Sequence, residues 1–221
     1  MSDVYEPTER TTVKRLPARG AYDRAVVHKI LDEALICHLG FVVDGQPFVI
    51  PTIHVRIDET IYVHGSPASR MLRTLEQGVS ACVTVTHIDG LVLARSAFHH
   101  SMNYRSAVVL GTATVVDDAA KKFEILHNLT NHLIRGRWEE IRQPSPEELR
   151  RTLVLAIPIE EASAKVRVGP PLDEEEDYAL PVWAGVLPLR MTTSSPIADS
   201  RLAQATAVPS YVTGFGRSRE G

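Results

Sequence analysis

Residues 36–55 read ICHLGFVVDGQPFVIPTIHV, two apolar, β-branched runs on either side of Asp44-Gly45. Both central residues of a type I′ turn need positive φ, so an Asp-Gly pair between such runs is the strongest short hairpin signal. The pair recurs at Asp89-Gly90, between VSACVTVTHI (79–88) and LVLARSAF (91–98), and predicts a second hairpin. Hairpins of this kind point to an antiparallel sheet and away from an alternating parallel α/β fold.

Outward from these runs, AYDRAVVHKILDEAL (21–35) places Tyr22, Val26, Val27, Ile30, Leu31, Ala34 and Leu35 on one helical stripe, with Asp23 as N-cap. TIYVHG (60–65) is a short strand that leads into a helix, with Ser66 at N-cap, Pro67 at N1 and Gly78 past the end. RSAVVLGTATVV (105–116) is a further strand. A longer helix follows from Asp117, with Phe123, Leu126, Leu133 and Ile134 inward. Ser145 to Glu148 is a capping box, and RTLVLAIPIEEASAKVRV (151–168) is the last long strand. Six or seven strands with inserted helices define a mainly β chain, an antiparallel β-barrel with flanking helices. Residues 1–18 form a polar lead and 19–190 the domain. Residues 191–221, rich in Ser, Thr and Ala, are expected to be a mobile tail.

A chain of 221 residues buries roughly 70% of its unfolded surface as one unit, so it needs no disulfide or metal staple. The net charge of −3 gives no reason to expect nucleic acid. There is no apolar leader and no run of 18 apolar residues, which implies no membrane partner and a cytoplasmic location. Cys37 and Cys82 read as separate thiols in a reducing compartment.

Two stretches carry candidate chemistry. At the helix opening on Ser66, Ser69 sits at N3 and Arg70 and Arg73 lie three apart. Cations in the first turn oppose the helix dipole by about 0.3 to 1 kcal/mol each. A phosphate would reverse that sign; a solvated helix with local carboxylate partners is the alternative. The second stretch is ARSAFHHSMNYRS (94–106). On a strand His99 and His100 point to opposite faces and cannot share a metal, and no Ser sits in a strand-to-helix elbow. A polar pocket wall, with Tyr104 for stacking and Asn103, Arg105 and Ser106 for hydrogen bonds, is the functional reading; a polar loop capping the barrel is the structural one. His127 and His132 read as surface residues, and DEEED (173–177) as a solvated linker. Trp183 covers either a hydrophobic seam or a bound ring.

In order, PFVIPT, IYVHG, SPASRM and NYRSAVVLG resemble the FMN-binding split-barrel family related to pyridoxamine 5′-phosphate oxidase, in the branch that includes nitroimidazole-resistance proteins. The resemblance implies a six-stranded antiparallel Greek-key split barrel that forms a homodimer with FMN at the interface. Val49, Ile50, Pro51 and Thr52 would then run beside the flavin, largely through backbone groups, with Val63 and His64 as ring or ribityl neighbours. Ser69 and Arg70 would hold the phosphate. Tyr104, Arg105 and Ser106 would face the flavin, and Lys165, Arg167 and Trp183 would approach it from the C-terminal side. The chain departs from authentic pyridoxamine phosphate oxidases at Thr52, Met71 and Ser106, where those enzymes carry Lys, Lys and Gln. The activity implied is therefore an FMN-dependent oxidoreductase, passing electrons from NAD(P)H or a similar donor to a small planar substrate without a catalytic side chain of its own. The alternatives are a flavin carrier without turnover, or a haem or deazaflavin protein on the same fold, in which histidines of HVR, VHG and FHHS could be axial ligands.

Overall fold

The computed structural model describes residues 2–203 and 206–215; the rest of the expected tail, residues 204–205 and 216–221, lies outside them. Ten strands form one antiparallel sheet: β1 (Gly20–Ala21), β2 (Ile36–Val43), β3 (Gln46–Ile57), β4 (Thr60–Gly65), β5 (Ser80–Leu93), β6 (Ser101–Thr112), β7 (Thr114–Val115), β8 (Leu153–Pro158), β9 (Glu161–Arg167) and β10 (Gly185–Pro188). The helices are α1 (Arg24–Glu33), α2 (Arg70–Leu75), α3 (Ala119–Leu133), α4 (Pro146–Arg150) and α5 (Ser210–Thr213). Strand order is β1-β9-β6-β5-β2-β3-β4-β8-β7, with β10 added on β5. This is the expected antiparallel split barrel. Its hydrogen-bonded order stays open, and no described helix is long and apolar enough to cross a membrane.

The first hairpin forms as the sequence predicts. Val43 pairs with Gln46 around a two-residue turn in which Asp44 and Gly45 have φ of 49° and 78°. The second Asp-Gly pair does not turn. It lies inside β5, where Ile88 and Gly90 flank a bulge against β6. Two long-range contacts override the local turn preference. The Asp89 carboxylate is held by Arg105, and Gly90 lets β10 come close, since a Cβ there would sit 3.1 Å from the Leu187 carbonyl. The real β5–β6 connection is residues 94–100, with a 3-10 turn at Ala97–His99.

The last long strand is also two. It breaks after Pro158, so that β8 pairs with β4 while β9 pairs with β6, and the chain turns the barrel corner there. Seven principal strands result among the described residues, within the expected six or seven. Leu39, Val83, Val109, Ile157 and their neighbours fill the barrel, closed below by Val27, Ile30 and Leu31 of α1 and by Met71, Leu72 and Leu75 of α2. A second cluster joins Val55, Tyr62 and Val154 to Ile125 and Leu129 of α3. The inward face of α3 is therefore Ile125, Leu129 and the expected Leu133, while the expected Phe123 is exposed and meets Trp138 edge-on at 5.3 Å. Asp118 caps α3, and the capping box at α4 forms as read.

The polar lead is anchored by Tyr5, which is buried. Its hydroxyl donates to Glu59 at 2.7 Å and receives the His28 ring N–H at 2.8 Å. Tyr5→Phe is expected to lower stability by about 1 to 2 kcal/mol, because Glu59 and His28 lose a shared partner. Chemical denaturation checks this; an unchanged midpoint would refute the role given to the hydroxyl.

Candidate functional site

β3 is paired with β2 over residues 46–53 and with β4 only from His54 onward. Beyond the His54–Val63 pair, where β4 leaves β3, the edge of β3 from Phe48 to Ile53 has no strand partner on its second side among the described residues. Its backbone N–H and C=O groups are open to a ligand. Period-2 alternation then sorts the expected residues. Val49 and Pro51 face outward, with Val49 66% exposed, while Ile50 packs toward the core and Thr52 is half-buried. Val63 is fully buried in the barrel, so its side chain contributes packing only. His64, the last residue but one of β4, has Nδ1 buried and unpartnered, and burial lowers its pKa, which favours the neutral ring. A cavity of about 310 Å³, lined by Phe48, Val49, Gly40 and Cys82, opens beside the β2–β3 end of this edge.

The serine-arginine loop follows directly. The N-cap of α2 is Ser69 rather than Ser66, because the Ser66 hydroxyl accepts from Ala68 N–H at 3.2 Å and Ser69 N–H bonds back to the Ser66 carbonyl at 2.9 Å. That turn makes residues 66–69 a loop and starts the helix at Arg70. The Arg70 guanidinium reaches back over the Phe48 ring at 5.3 Å and has no ion pair among the described residues. Arg70 therefore lies beside the Phe48 end of the open β3 edge, with Ser69 next to it in the chain and His64 on the strand that leads into their loop; these residues make up the candidate cleft. Phe48 is not among the residues expected there. By alternation it reads as a core residue, and it does stack on Phe41 at 5.7 Å.

A second group gathers at the other end of the strand order. In the β6–β9 register Tyr104 faces Arg167, Ser106 faces Lys165 and Arg105 faces Val166. Arg105 is a strut: its guanidinium makes two bonds to Asp89, at 3.0 and 2.9 Å, and one to Glu33. Those carboxylates raise its pKa and tie α1, β5 and β6 together. Lys165 donates to the Arg15 carbonyl at 3.1 Å. Arg167 is 7% exposed and bonds to the Asn103 side chain and the carbonyls of Gly169 and Pro170, with its Nε–H buried and unpartnered. No hydrogen bond or ring contact joins this group to the cleft among the described residues.

Trp183 lies on the segment between β9 and β10, 67% exposed, its ring against Gly185. Of DEEED, Glu174, Glu175 and Glu176 are exposed as expected of a solvated linker, and Asp173 departs from it. The Asp173 side chain is inaccessible and holds the Arg95 backbone N–H at 3.0 Å and its guanidinium at 3.1 Å, and Glu174 meets His99 at 3.3 Å. His99 and His100 stand in the turn before β6 rather than on a strand, so alternation does not govern them. His132 is not a surface residue in the sense expected, since its ring donates to the Ala34 carbonyl at 2.7 Å. His54 and His87 donate likewise to Leu31 and Ile30 at 3.1 and 2.9 Å. Three rings thus satisfy the last carbonyls of α1, a role that spacing along the chain cannot reveal.

An open β3 edge, a serine-arginine loop and a split antiparallel barrel define a class, and the match confirms it: the family model described as pyridoxamine 5′-phosphate oxidase covers residues 23–166, and the chain belongs to that family. Among solved structures it is similar to the flavocytochrome Anf3 from Azotobacter vinelandii, at 43% identity over 96% of this chain and 98% of that one, with a TM-score of 0.89. It is also similar to an FAD- and haem-binding protein from Mycobacterium smegmatis, at 36% identity, 89% and 96% coverage and a TM-score of 0.85. A candidate 5-nitroimidazole antibiotic resistance protein from Bacteroides thetaiotaomicron shares the fold, at 22% identity, 66% and 86% coverage and a TM-score of 0.57. No curated protein matches the chain.

Proposed function

We propose that the protein is an electron-transfer flavoprotein that binds both a flavin and haem, and that it works as a homodimer in the cytoplasm. The observation that carries the flavin assignment is the placement of Arg70, which has no carboxylate partner among the described residues, over Phe48 of a strand edge unpaired among those residues, with Ser69 beside it in the chain. Those donors suit a phosphate, the edges of a polar ring system and a ribityl chain. The haem assignment rests on the two similar structures, one a flavocytochrome and one binding FAD and haem. We take the flavin to be FAD rather than FMN on the strength of the second. When bound, the two groups supply hydride acceptance and one-electron exchange.

The chain's own residues bind and orient. Arg70 and Ser69 hold the phosphate nearest the ribityl chain, the β3 edge from Phe48 to Ile53 orients the ring, and neutral His64 offers a proton-bearing nitrogen beside it. Val42 and Val49, 54% and 66% exposed on the outward face, together with Ile36, suit the surface that a second copy covers. A partner protomer would also bring Tyr104, Lys165 or Trp183 to a cleft that they do not reach within one chain. NAD(P)H is the electron donor in this reading, and a small planar molecule the acceptor.

Arg70→Ala tests the phosphate assignment. It is expected to weaken FMN and FAD about 10- to 100-fold and riboflavin little, since only the first two present a phosphate to the guanidinium. Fluorescence titration reads all three affinities, and equal losses would remove Arg70 from the site.

A further inference from the structure

We infer that His100 is an axial ligand of the haem iron, through Nε2. The inference rests on the haem reading above and goes beyond it by assigning the residue.

A histidine that ligates iron presents Nε2 as a free lone pair, while its Nδ1–H donates to a backbone carbonyl or carboxylate that fixes the tautomer and the ring. His100 has this arrangement. Its Nδ1 lies 2.8 Å from the Ser96 carbonyl, which can only accept, so the proton is on Nδ1 and Nε2 is left open. The ring is exposed rather than sealed in the core.

The other histidines do not meet both conditions. His54, His87 and His132 commit Nε2 to the carbonyls at the end of α1. His28 and His127 have Nε2 on Tyr5 and Asn131. His99 turns Nε2 to Glu174 and keeps only Nδ1, the nitrogen flanked by Cβ, which a porphyrin plane cannot approach closely. His64 has Nδ1 buried without a partner to fix its tautomer, and among the described residues His38 has neither nitrogen anchored.

The surroundings suit a large flat apolar ligand. Phe98, two residues away, is 89% exposed, and Met102 follows on β6, also exposed. Asn103 bonds to the Gly169 carbonyl and Asp173 to Arg95, which brings exposed Val168 and Leu172 beside the same turn. Phe98, Met102, Val168 and Leu172 are thus exposed apolar side chains on the turn that carries His100 or on segments hydrogen-bonded to its flanks, an apolar surface of the kind a macrocycle would cover. The turn is also held in place: the Arg95–Asp173 pair and the Arg95 guanidinium over Tyr178 at 4.8 Å clamp its start.

The experiment uses the full-length protein, reconstituted with haemin and FAD. Wild type is expected to give a Soret band of ligated haem. His100→Gly is expected to bind haem at least about tenfold more weakly, with the Soret band shifted toward free haemin. Added imidazole is expected to restore both position and affinity, which also shows that the variant is folded. His99→Gly is expected to keep the wild-type spectrum. An unaltered Soret band in His100→Gly, or a shifted one that imidazole does not restore, would overturn the assignment while haem binding by the wild type stands. A wild-type protein that binds FAD but no haem would instead overturn the haem reading, and this inference with it.

Discussion

Gly111→Ala is expected to lower folding stability by about 3 kcal/mol, the upper end of the usual overpacking range. A Cβ at this position would lie 2.3 Å from the Pro158 carbonyl oxygen and 3.2 Å from a methyl of Ile157. The first of these is backbone, so no rotamer change relieves it. The clash falls where the barrel turns its corner: β6 ends beside β8, and the chain passes from β8 to β9 within two residues. Relief would require β8 to withdraw from β6 and would disturb the pairing of β9 with the Tyr104–Ser106 register. Urea denaturation measures the effect; a loss below about 1 kcal/mol would mean that the corner is looser than described.

The second large effect is acid lability centred on His54. The ring is fully buried, and burial, reinforced by the nearby His132, pushes its pKa down to about 4, against the pull of the Leu31 carbonyl and Asp32. On protonation Nδ1–H becomes a buried donor without an acceptor. The folded-state pKa lies below the ordinary value near 6.5, so the neutral ring's stabilisation is complete above about pH 6.5 and is lost as pH falls toward 4. Over that window the loss is about 3 kcal/mol. His28 and His64, whose pKa values are also lowered, chiefly by burial, add to the slope in the same direction. His54→Gln keeps a donor for Leu31 and removes the titration, so its stability is expected to fall less steeply than that of wild type between pH 6.5 and 4. Parallel curves for the two proteins would show that His54 does not titrate as described.

The two Asp-Gly pairs show what the sequence reveals and where it stops. Around Asp44-Gly45 nothing competes with the local turn preference, and the hairpin forms as read. Around Asp89-Gly90 a partner 16 residues away, Arg105, takes the carboxylate, and β10, nearly 100 residues on, takes the backbone edge. Local chemistry cannot weigh contacts of that range. The same limit explains α2, where a side-chain bond within Ser66–Ala68 moved the cap by three residues. It also explains Asp173, whose burial depends on an arginine from a different hairpin.

The backbone course of the serine-arginine loop and of the β3 edge was readable because adjacent segments build them. Arg105 read as an open donor, because neither Asp89 nor Glu33 is recognisable as its partner from spacing. His100 read as half of a strand pair until the turn at Ala97–His99 freed its ring to bond with Ser96.

The central claim, that one chain holds a flavin and a haem, is tested most directly by the visible spectrum of the purified protein after incubation with FAD and haemin and removal of excess. The account predicts flavin absorbance and a Soret band together, at about one of each per chain, with FAD as the flavin released by acid. A colourless protein that retains neither would contradict it.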